Sequence, residues 1–145
     1  IMTLSVKTIA PDFVAFDEEG KRVCLSEYKG KNIVLYFYPK DDTPGCTQEA
    51  QSFRDNYKKY EDKNIIIFGV SMDNQKSHKA FKEKLNLPFQ LLVDEQGKLT
   101  DLYDVAGGDY SKRVTYIIDK EGVICHIDDK VITNTHAQDI LEKMS

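Results

Sequence analysis

A nearly continuous run of β-branched and aromatic residues at positions 32–38, with the sequence NIVLYFY, limits most strongly how this chain can fold. A half-exposed strand alternates apolar and polar residues, whereas this run is apolar on both faces and ends at Pro39. It therefore predicts a central strand that is buried on both faces. A second run, residues 64–71 with the sequence NIIIFGVS, predicts another buried strand.

Helical patterns follow these strands. Apolar residues spaced three and four apart predict helices over residues 44–62 and 74–86. A last helix begins after Thr135, because Gln138 three residues later completes the pattern of a capping box. The chain therefore alternates between strands and helices.

Turn sequences predict two hairpins, over residues 13–25 and 113–127, and residues 88–93 read as a further short strand. Strands interleaved with helices, with hairpins near both ends, indicate an α/β sandwich. Its mixed central sheet is flanked by helices and carries an N-terminal β-hairpin. The length fits one domain over residues 1–145.

Composition and charge exclude several classes of partner. The net charge of -4 is spread along the chain without a basic stripe, so we expect no nucleic-acid partner. The longest apolar runs are far shorter than the roughly 20 residues that span a bilayer, so we expect no membrane partner. Residues 2–7 lack the pattern of a signal peptide, and the odd set of three cysteines does not suit a disulfide framework. We therefore expect a reducing, cytoplasmic location.

Cys46 lies at the predicted start of a helix. Thr43 is a good N-cap residue and Pro44 a preferred first helical residue, which places Gly45 and Cys46 in the first turn. Backbone N–H groups there have no intrahelical acceptor, and the helix dipole is positive. Both features favour a thiolate, so Cys46 is expected to be nucleophilic near neutral pH. Ala50 lies four residues later on the apolar stripe, which predicts that the sulfur faces inward.

The stretch at residues 36–50, YFYPKDDTPGCTQEA, resembles the peroxidatic-cysteine motif of the peroxiredoxins. It is most similar to that of the subgroup called peroxiredoxin Q or bacterioferritin comigratory protein. The likeness covers almost the whole chain and continues through residues 10–13, 87–89, 92–94 and 113–119. The resemblance implies a thioredoxin-like fold and the reduction of hydrogen peroxide and organic hydroperoxides.

The resemblance also implies a catalytic site at Pro39, Thr43, Cys46 and Arg113. The chemistry agrees, because a thiolate that breaks an O–O bond needs donors and positive charge directed at the departing oxygen. Arg113 would supply the charge and hold the thiolate, Thr43 a hydrogen bond, and the first-turn amides further donors. Pro39 would exclude water, and Glu49 could orient Arg113 from the same helical face.

Each of these residues also has a purely structural interpretation. Thr43 and Pro44 suit any helix start, and an acidic residue such as Glu49 is common in a first turn because of the helix dipole. Arg113, without the resemblance, reads as a surface charge at the start of a strand.

The sequence departs from the subgroup at the resolving cysteine. Many members carry it five residues after the peroxidatic cysteine, where this chain has Gln51, and residues 71–86 contain no cysteine. We therefore predict a one-cysteine mechanism, in which an external thiol of the thioredoxin, glutaredoxin or glutathione type reduces the Cys46 sulfenic acid. Strand alternation predicts that Cys125 is buried and that Cys24 points outward, which leaves Cys24 as a minor alternative resolving residue.

Two other functions compete with the peroxidase. A thiol–disulfide oxidoreductase would share the fold, but it normally needs a second cysteine three residues after Cys46, where Glu49 stands. A redox-sensing or chaperone-like module would use Cys46 only as a signal. No metal or other cofactor is expected, because His78, His126 and His136 have no ligand spacing with any cysteine.

Overall fold

The computed structural model describes residues 3–144 and arranges them around a mixed sheet. Numbered along the chain, the strands are β1 (Val14–Asp17), β2 (Arg22–Cys24), β3 (Asn32–Phe37), β4 (Ile65–Ser71), β5 (Gln90–Val93), β6 (Val114–Ile118) and β7 (Ile124–Asp128). They lie in the order β2-β1-β5-β4-β3-β6-β7. The central strand β3 runs parallel to β4 and antiparallel to β6, so the sheet is mixed as predicted.

The helices are α1 (Pro44–Asp55), α2 (Tyr57–Asp62), α3 (Gln75–Leu85), α4 (Lys98–Leu102) and α5 (His136–Met144), and a 3-10 turn covers Leu25–Tyr28. Within residues 3–144, none of the helices has the length and apolar character needed to cross a bilayer.

Residues of β3 alternate between two hydrophobic cores, which confirms that this strand is buried on both faces. Leu35 and Phe37 belong to the core that α4 covers, whereas Val34 and Tyr36 face α1, α2, α3 and α5. In the second core the ring of Tyr36 stacks on that of Phe53 from α1, with centroids 4.7 Å apart. Fully burying an aromatic side chain of this size stabilises a protein by about 2 kcal/mol, so this contact fixes α1 firmly on the sheet.

Two helix predictions need correction. The single helix predicted over residues 44–62 is broken at Asn56, whose φ of -106° and ψ of 8° leave the helical range, so α1 and α2 are separate. The last helix does begin after Thr135. Its threonine hydroxyl, however, donates to the Asp139 carboxylate at 2.9 Å, so the capping box with Gln138 is not the observed arrangement.

The predictions for the two other cysteines are both wrong. Cys24 is only 7% exposed, because the chain enters the 3-10 turn Leu25–Tyr28 directly after it and strand alternation no longer applies. Cys125 is exposed. In the β6–β7 pair Ile117 faces His126 while Ile118 faces Ile124, so Cys125 is the extra residue of a β-bulge and the alternation shifts there.

Candidate active site

Cys46 lies in the first turn of α1, at the end of the loop that leaves β3. Its side chain is 1% exposed and packs in the second core together with Ala50 and Phe53. The prediction that the sulfur faces inward is therefore confirmed. The first N–H groups of a helix have no intrahelical acceptor, so the first turn is a favourable environment for negative charge.

Thr43 occupies the N-cap position but does not cap the helix with its side chain. Its backbone is extended, with φ -95° and ψ 156°, and its hydroxyl donates to the Lys40 carbonyl at 2.8 Å. The hydroxyl hydrogen is thus used within the loop. The oxygen keeps its lone pairs, so Thr43 can accept a hydrogen bond from a group bound above Cys46.

Arg113 reaches Cys46 because of strand pairing. Val114, the first residue of β6, pairs with Phe37 at the end of β3, so Arg113 stands where the chain turns towards α1. Its Nη2 donates to Cys46 Sγ at 3.4 Å and its Nη1 donates to Glu49 Oε1 at 2.7 Å. One guanidinium therefore contacts both side chains, although 67 residues separate it from the cysteine.

Glu49 is fully buried beneath this guanidinium. Burial raises the pKa of the Glu49 carboxyl to about 7, although the charge and hydrogen bond of Arg113 act in the opposite direction. Its second oxygen, Oε2, has no hydrogen-bond partner among the described residues. This oxygen lies 3.6 Å from Nε2 of His136.

His136 opens α5 and is fully buried. Its Nε2 lies 2.7 Å from Thr115 Oγ1, and its Nδ1 lies 3.7 Å from a carboxylate oxygen of Asp128. Burial lowers the pKa of His136 to about 4, so the ring is neutral near pH 7. We call Arg113, Glu49, Thr115 and His136 the arginine network.

His136 is not among the residues predicted for the site, although the sequence contains a signal for its burial. The apolar stripe of the last helix includes Ile140, and His136 lies four residues before it on the same helical face. A histidine on the apolar face of a helix must find polar partners inside the protein.

Pro39 and Thr43 stand at the two ends of the loop that leads to α1. Pro39 is half-buried and lines an open groove of about 520 Å³, together with Lys40, Met72, Asp73, Asp109 and Tyr110. The structure thus brings Cys46, Glu49 and Arg113 into direct contact, while Pro39 and Thr43 shape the loop beside them.

The remaining cysteines lie far from this contact. Cys24 ends β2 at one edge of the sheet, and Cys125 lies in β7 at the opposite edge. All three cysteines are free thiols, and the position five residues after Cys46 is occupied by the half-buried Gln51.

Comparison with known proteins identifies the family. The AhpC/TSA family matches residues 6–127. The chain is 45% identical to peroxiredoxin Bcp of Bacillus subtilis, over 99% of this chain and 96% of that protein. The chain is a peroxiredoxin of the AhpC/TSA family. It is also 46% identical to the chloroplastic peroxiredoxin Q of Triticum aestivum, over 86% of this chain and 58% of that longer protein.

Solved structures of related peroxiredoxins share the fold. Peroxidoxin BcpB of Mycobacterium tuberculosis matches with a TM-score of 0.89 and 28% identity, over 97% of this chain and 96% of that one. The bacterioferritin comigratory protein of Xanthomonas campestris, described for its alkyl peroxide reduction activity, matches with the same score and identity over 97% of both chains. The thioredoxin-like fold and the thiol-dependent peroxidase activity predicted from the sequence are therefore confirmed.

Proposed function

We propose that Cys46 is the peroxidatic residue of this peroxiredoxin and that an external thiol completes the cycle. The observation that supports the proposal is the contact of the Arg113 guanidinium with a buried Cys46 sulfur, at 3.4 Å. A fixed positive charge favours the thiolate and would stabilise the negative charge that grows on the departing oxygen.

In the first step the Cys46 thiolate attacks one peroxide oxygen in line with the O–O bond. The S–O bond forms, the O–O bond breaks, and the leaving oxygen takes a proton to become water or an alcohol. Cys46 is oxidised to a sulfenic acid and the peroxide is reduced by two electrons. Arg113 and the Gly45 and Cys46 amides would hold the two oxygens during this displacement.

Three further residues support this step. Thr43 would accept a hydrogen bond from the peroxide O–H, because its own hydrogen is donated to Lys40. Glu49 would orient the guanidinium through its 2.7 Å contact with Nη1. Pro39, which has no N–H group, would shield the loop from water without adding a competing donor.

In the second step a thiol outside the chain reduces the sulfenic acid. The external thiol attacks the Cys46 sulfur, water leaves, and a second thiol releases Cys46 and forms a disulfide. Two positions support an external resolving thiol. Cys125 lies beside Ile117, which is four residues along β6 from Arg113, so Cys125 is roughly 13 Å from Arg113 along the strand direction. Cys24 lies at the opposite edge of the sheet.

The proposal extends to the setting of the enzyme. A mechanism that needs an external thiol of the thioredoxin, glutaredoxin or glutathione type suits a reducing compartment such as the cytoplasm. A single sheet that contains strands from Val14 to Asp128 supports the single domain predicted over residues 1–145.

Replacement of each cysteine tests the proposal. Cys46→Ser is expected to abolish peroxide turnover, measured with a thioredoxin, glutaredoxin or glutathione reducing system, whereas Cys24→Ser and Cys125→Ser keep most of it. After one equivalent of peroxide without reductant, mass spectrometry should find a sulfenic acid on Cys46 that dimedone traps. A disulfide between Cys46 and Cys24 or Cys125 would overturn the one-cysteine mechanism.

A further inference from the structure

A second buried network holds the loop before α1 on the side opposite to Arg113. Its hub is Asp41, whose Oδ1 accepts a hydrogen bond from the Tyr38 hydroxyl at 2.5 Å. Its Oδ2 accepts one from the Ser77 hydroxyl at 2.8 Å and lies 2.7 Å from Nδ1 of His78. We call Tyr38, Asp41, Ser77 and His78 the aspartate network.

The contacts of His78 define where its protons lie. Its Nε2 is 2.8 Å from the Leu92 carbonyl, which can only accept, so Nε2 carries a hydrogen. The Nδ1 contact with Asp41 then requires one further proton, shared between the ring and the carboxylate. Without that proton, an imidazole lone pair would face a carboxylate oxygen at 2.7 Å.

The loop that this pair holds is strained. Asp42 adopts the left-handed backbone conformation, with φ 62°, directly between Asp41 and Thr43. A non-glycine residue persists in this conformation only where its surroundings impose it. The backbone N–H of Asp41 is held as well, because it donates to Asp73 Oδ2 at 2.8 Å. Loss of the proton between Asp41 and His78 would replace one of these contacts with a repulsion. It would therefore weaken the hold on the turn that leads into Cys46, although the contacts of Asp41 with Tyr38, Ser77 and Asp73 remain.

The reducing thiol needs such a loosening. Cys46 is 1% exposed, so the sulfur of a thiol reductant cannot approach it in line while the loop is closed, whereas a peroxide is much smaller. We propose that the Asp41–His78 pair is a proton-dependent clasp, which keeps the Cys46 loop closed and opens it to the reducing thiol when the shared proton is lost. The need for an opening rests on the proposed function, whereas the clasp itself does not.

The charges around His78 set the direction of the effect. Asp41 faces it from the loop, Asp73 from the segment after β4, the Tyr38 ring from the end of β3, and the neutral Leu92 carbonyl from β5. Burial alone lowers the pKa of His78, but Asp41, the Leu92 carbonyl and Asp73 together raise it above its ordinary value. A raised pKa means that the clasp is fully closed below about pH 6.5 and is lost as pH rises through the higher native value.

The same residues do not form a free metal site. Single ligand atoms of Asp41, Asp73 and His78 lie within 4.8 Å of one another. However, Nε2 of the ring donates to a carbonyl and Nδ1 shares a proton with Asp41, so no nitrogen lone pair is available to a cation.

Hydrogen exchange of the reduced protein tests the clasp directly. Protection of amides in residues 38–49 is measured by mass spectrometry from pH 6 to 9 and corrected for the intrinsic rate of exchange. In the parent protein, protection should fall by about tenfold across this range, the size expected for a hydrogen bond to a charged group. In His78→Asn it should be independent of pH, because position 78 then carries no titratable group.

Ser77→Ala is the matched control, since it removes a donor from the same Asp41 oxygen without removing a titratable group. Ser77→Ala should lower amide protection by the same factor at every pH, so the dependence of protection on pH should match that of the parent. If His78→Asn does not fold, Asp41→Asn serves instead, because an amide N–H that replaces the shared proton should give a flat profile. The proposal would be overturned if amide protection depended on pH equally in the parent and in His78→Asn, or equally in the parent and in Asp41→Asn.

The rate at which dithiothreitol reduces the Cys46 sulfenic acid is the functional readout. The ratio of the parent rate to the His78→Asn rate cancels the ionisation of dithiothreitol, and it should rise by about tenfold from pH 6 to 9 as the clasp opens. A ratio that does not change with pH would overturn the link to reduction. Absence of a Cys46 sulfenic acid would instead contradict the proposed function, while the exchange profile would still test the clasp.

Discussion

The two networks beside Cys46 contain the same pair of groups, but the pKa of the histidine is shifted in opposite directions. In each, a fully buried histidine lies near a buried carboxyl group, His136 near Glu49 and His78 near Asp41. The pKa of His136 is lowered to about 4 by burial, whereas that of His78 is raised. The two pKa shifts differ in direction because the ring nitrogen and the carboxylate oxygen are 3.6 Å apart in the first pair and 2.7 Å apart, within hydrogen-bond distance, in the second.

The comparison teaches that burial drives a histidine towards its neutral form and that the direct contact with Asp41 outweighs this for His78. In the arginine network the permanent charge belongs to Arg113, beside the Cys46 sulfur. In the aspartate network the charge depends on a proton and lies on the loop. We therefore expect the first network to control the reaction with peroxide and the second to control loop opening.

Arg113→Lys should break the arginine network most severely. A lysine is a point charge that cannot contact Cys46 Sγ and Glu49 Oε1 with two separate donors. The rate of reaction with peroxide should fall by about 10² to 10³, as for the loss of a transition-state donor. Single-turnover trapping of the sulfenic acid measures this rate. Arg54→Lys, on the helix α1 that also carries Cys46, is the control and should keep the parent rate.

Glu49→Gln should change how stability depends on pH. The pKa of Glu49 rises from 4.5 to about 7, so between these values the native protein binds more protons there than the unfolded chain. The stability of the parent therefore falls as pH rises through this window, by about 3 kcal/mol from this group, and the contribution is constant above it. A glutamine at position 49 does not titrate, so the stability of Glu49→Gln should not fall in this way between pH 4.5 and about 7.

Denaturant unfolding at pH 4.5 and pH 8 measures this effect. The free energy of unfolding of Glu49→Gln minus that of the parent should be about 3 kcal/mol larger at pH 8 than at pH 4.5, which means that the variant gains stability relative to the parent. A difference that stays the same at both pH values would contradict the buried, raised carboxyl. The exposed Glu61→Gln serves as the control and should show no such change.

Gly45→Ala should perturb the guanidinium without unfolding the protein. A Cβ atom at position 45 would lie 3.1 Å from Arg113 Nη2, so the guanidinium that contacts Cys46 must shift by a few tenths of an ångström. The reaction with peroxide should slow by about tenfold, the factor that corresponds to a loss of 1.4 kcal/mol. Stability should not fall, because alanine favours a helix more than glycine. An unchanged peroxide rate would show that the 3.4 Å contact is not needed.

Lys84→Ala should have the smallest effect on amide protection. It compares an exposed ion pair with the buried contacts of Asp41, both of which hold the loop before α1. Lys84 donates to Asp42 at 2.7 Å, but both side chains are more than half exposed. An exposed ion pair contributes well under about 1 kcal/mol. Amide protection of residues 38–49 should therefore stay within about twofold of the parent, and a loss as large as that in Ser77→Ala would contradict this ranking.

Much of the scaffold could be predicted from the sequence because it depends on local patterns. The continuous apolar run of β3 and the helical spacing around Cys46 each follow from burial of one strand or one helix face. Arg113 was different, because its partner lies 67 residues away and is brought close only by the pairing of β6 with β3. Only the resemblance to a family directed attention to it.

The partners of Asp41, His78 and His136 could not be predicted because polar networks depend on tertiary contacts that no local pattern encodes. For His136 the helical spacing indicates burial but not the partner. His78 falls on the inner face of α3 and meets Asp41 across 37 residues. The wrong predictions for Cys24 and Cys125 have a related cause, since a 3-10 turn and a β-bulge each shift the strand alternation by one residue.

The β-bulge at Cys125 also affects how the protein behaves in a test tube. Its thiol is exposed whereas those of Cys24 and Cys46 are buried, so we expect a disulfide between two folded molecules to form through Cys125. A band of twice the mass on a non-reducing gel would then report storage history and not turnover. Catalytic assays are therefore best calibrated with Cys125→Ser as the working background.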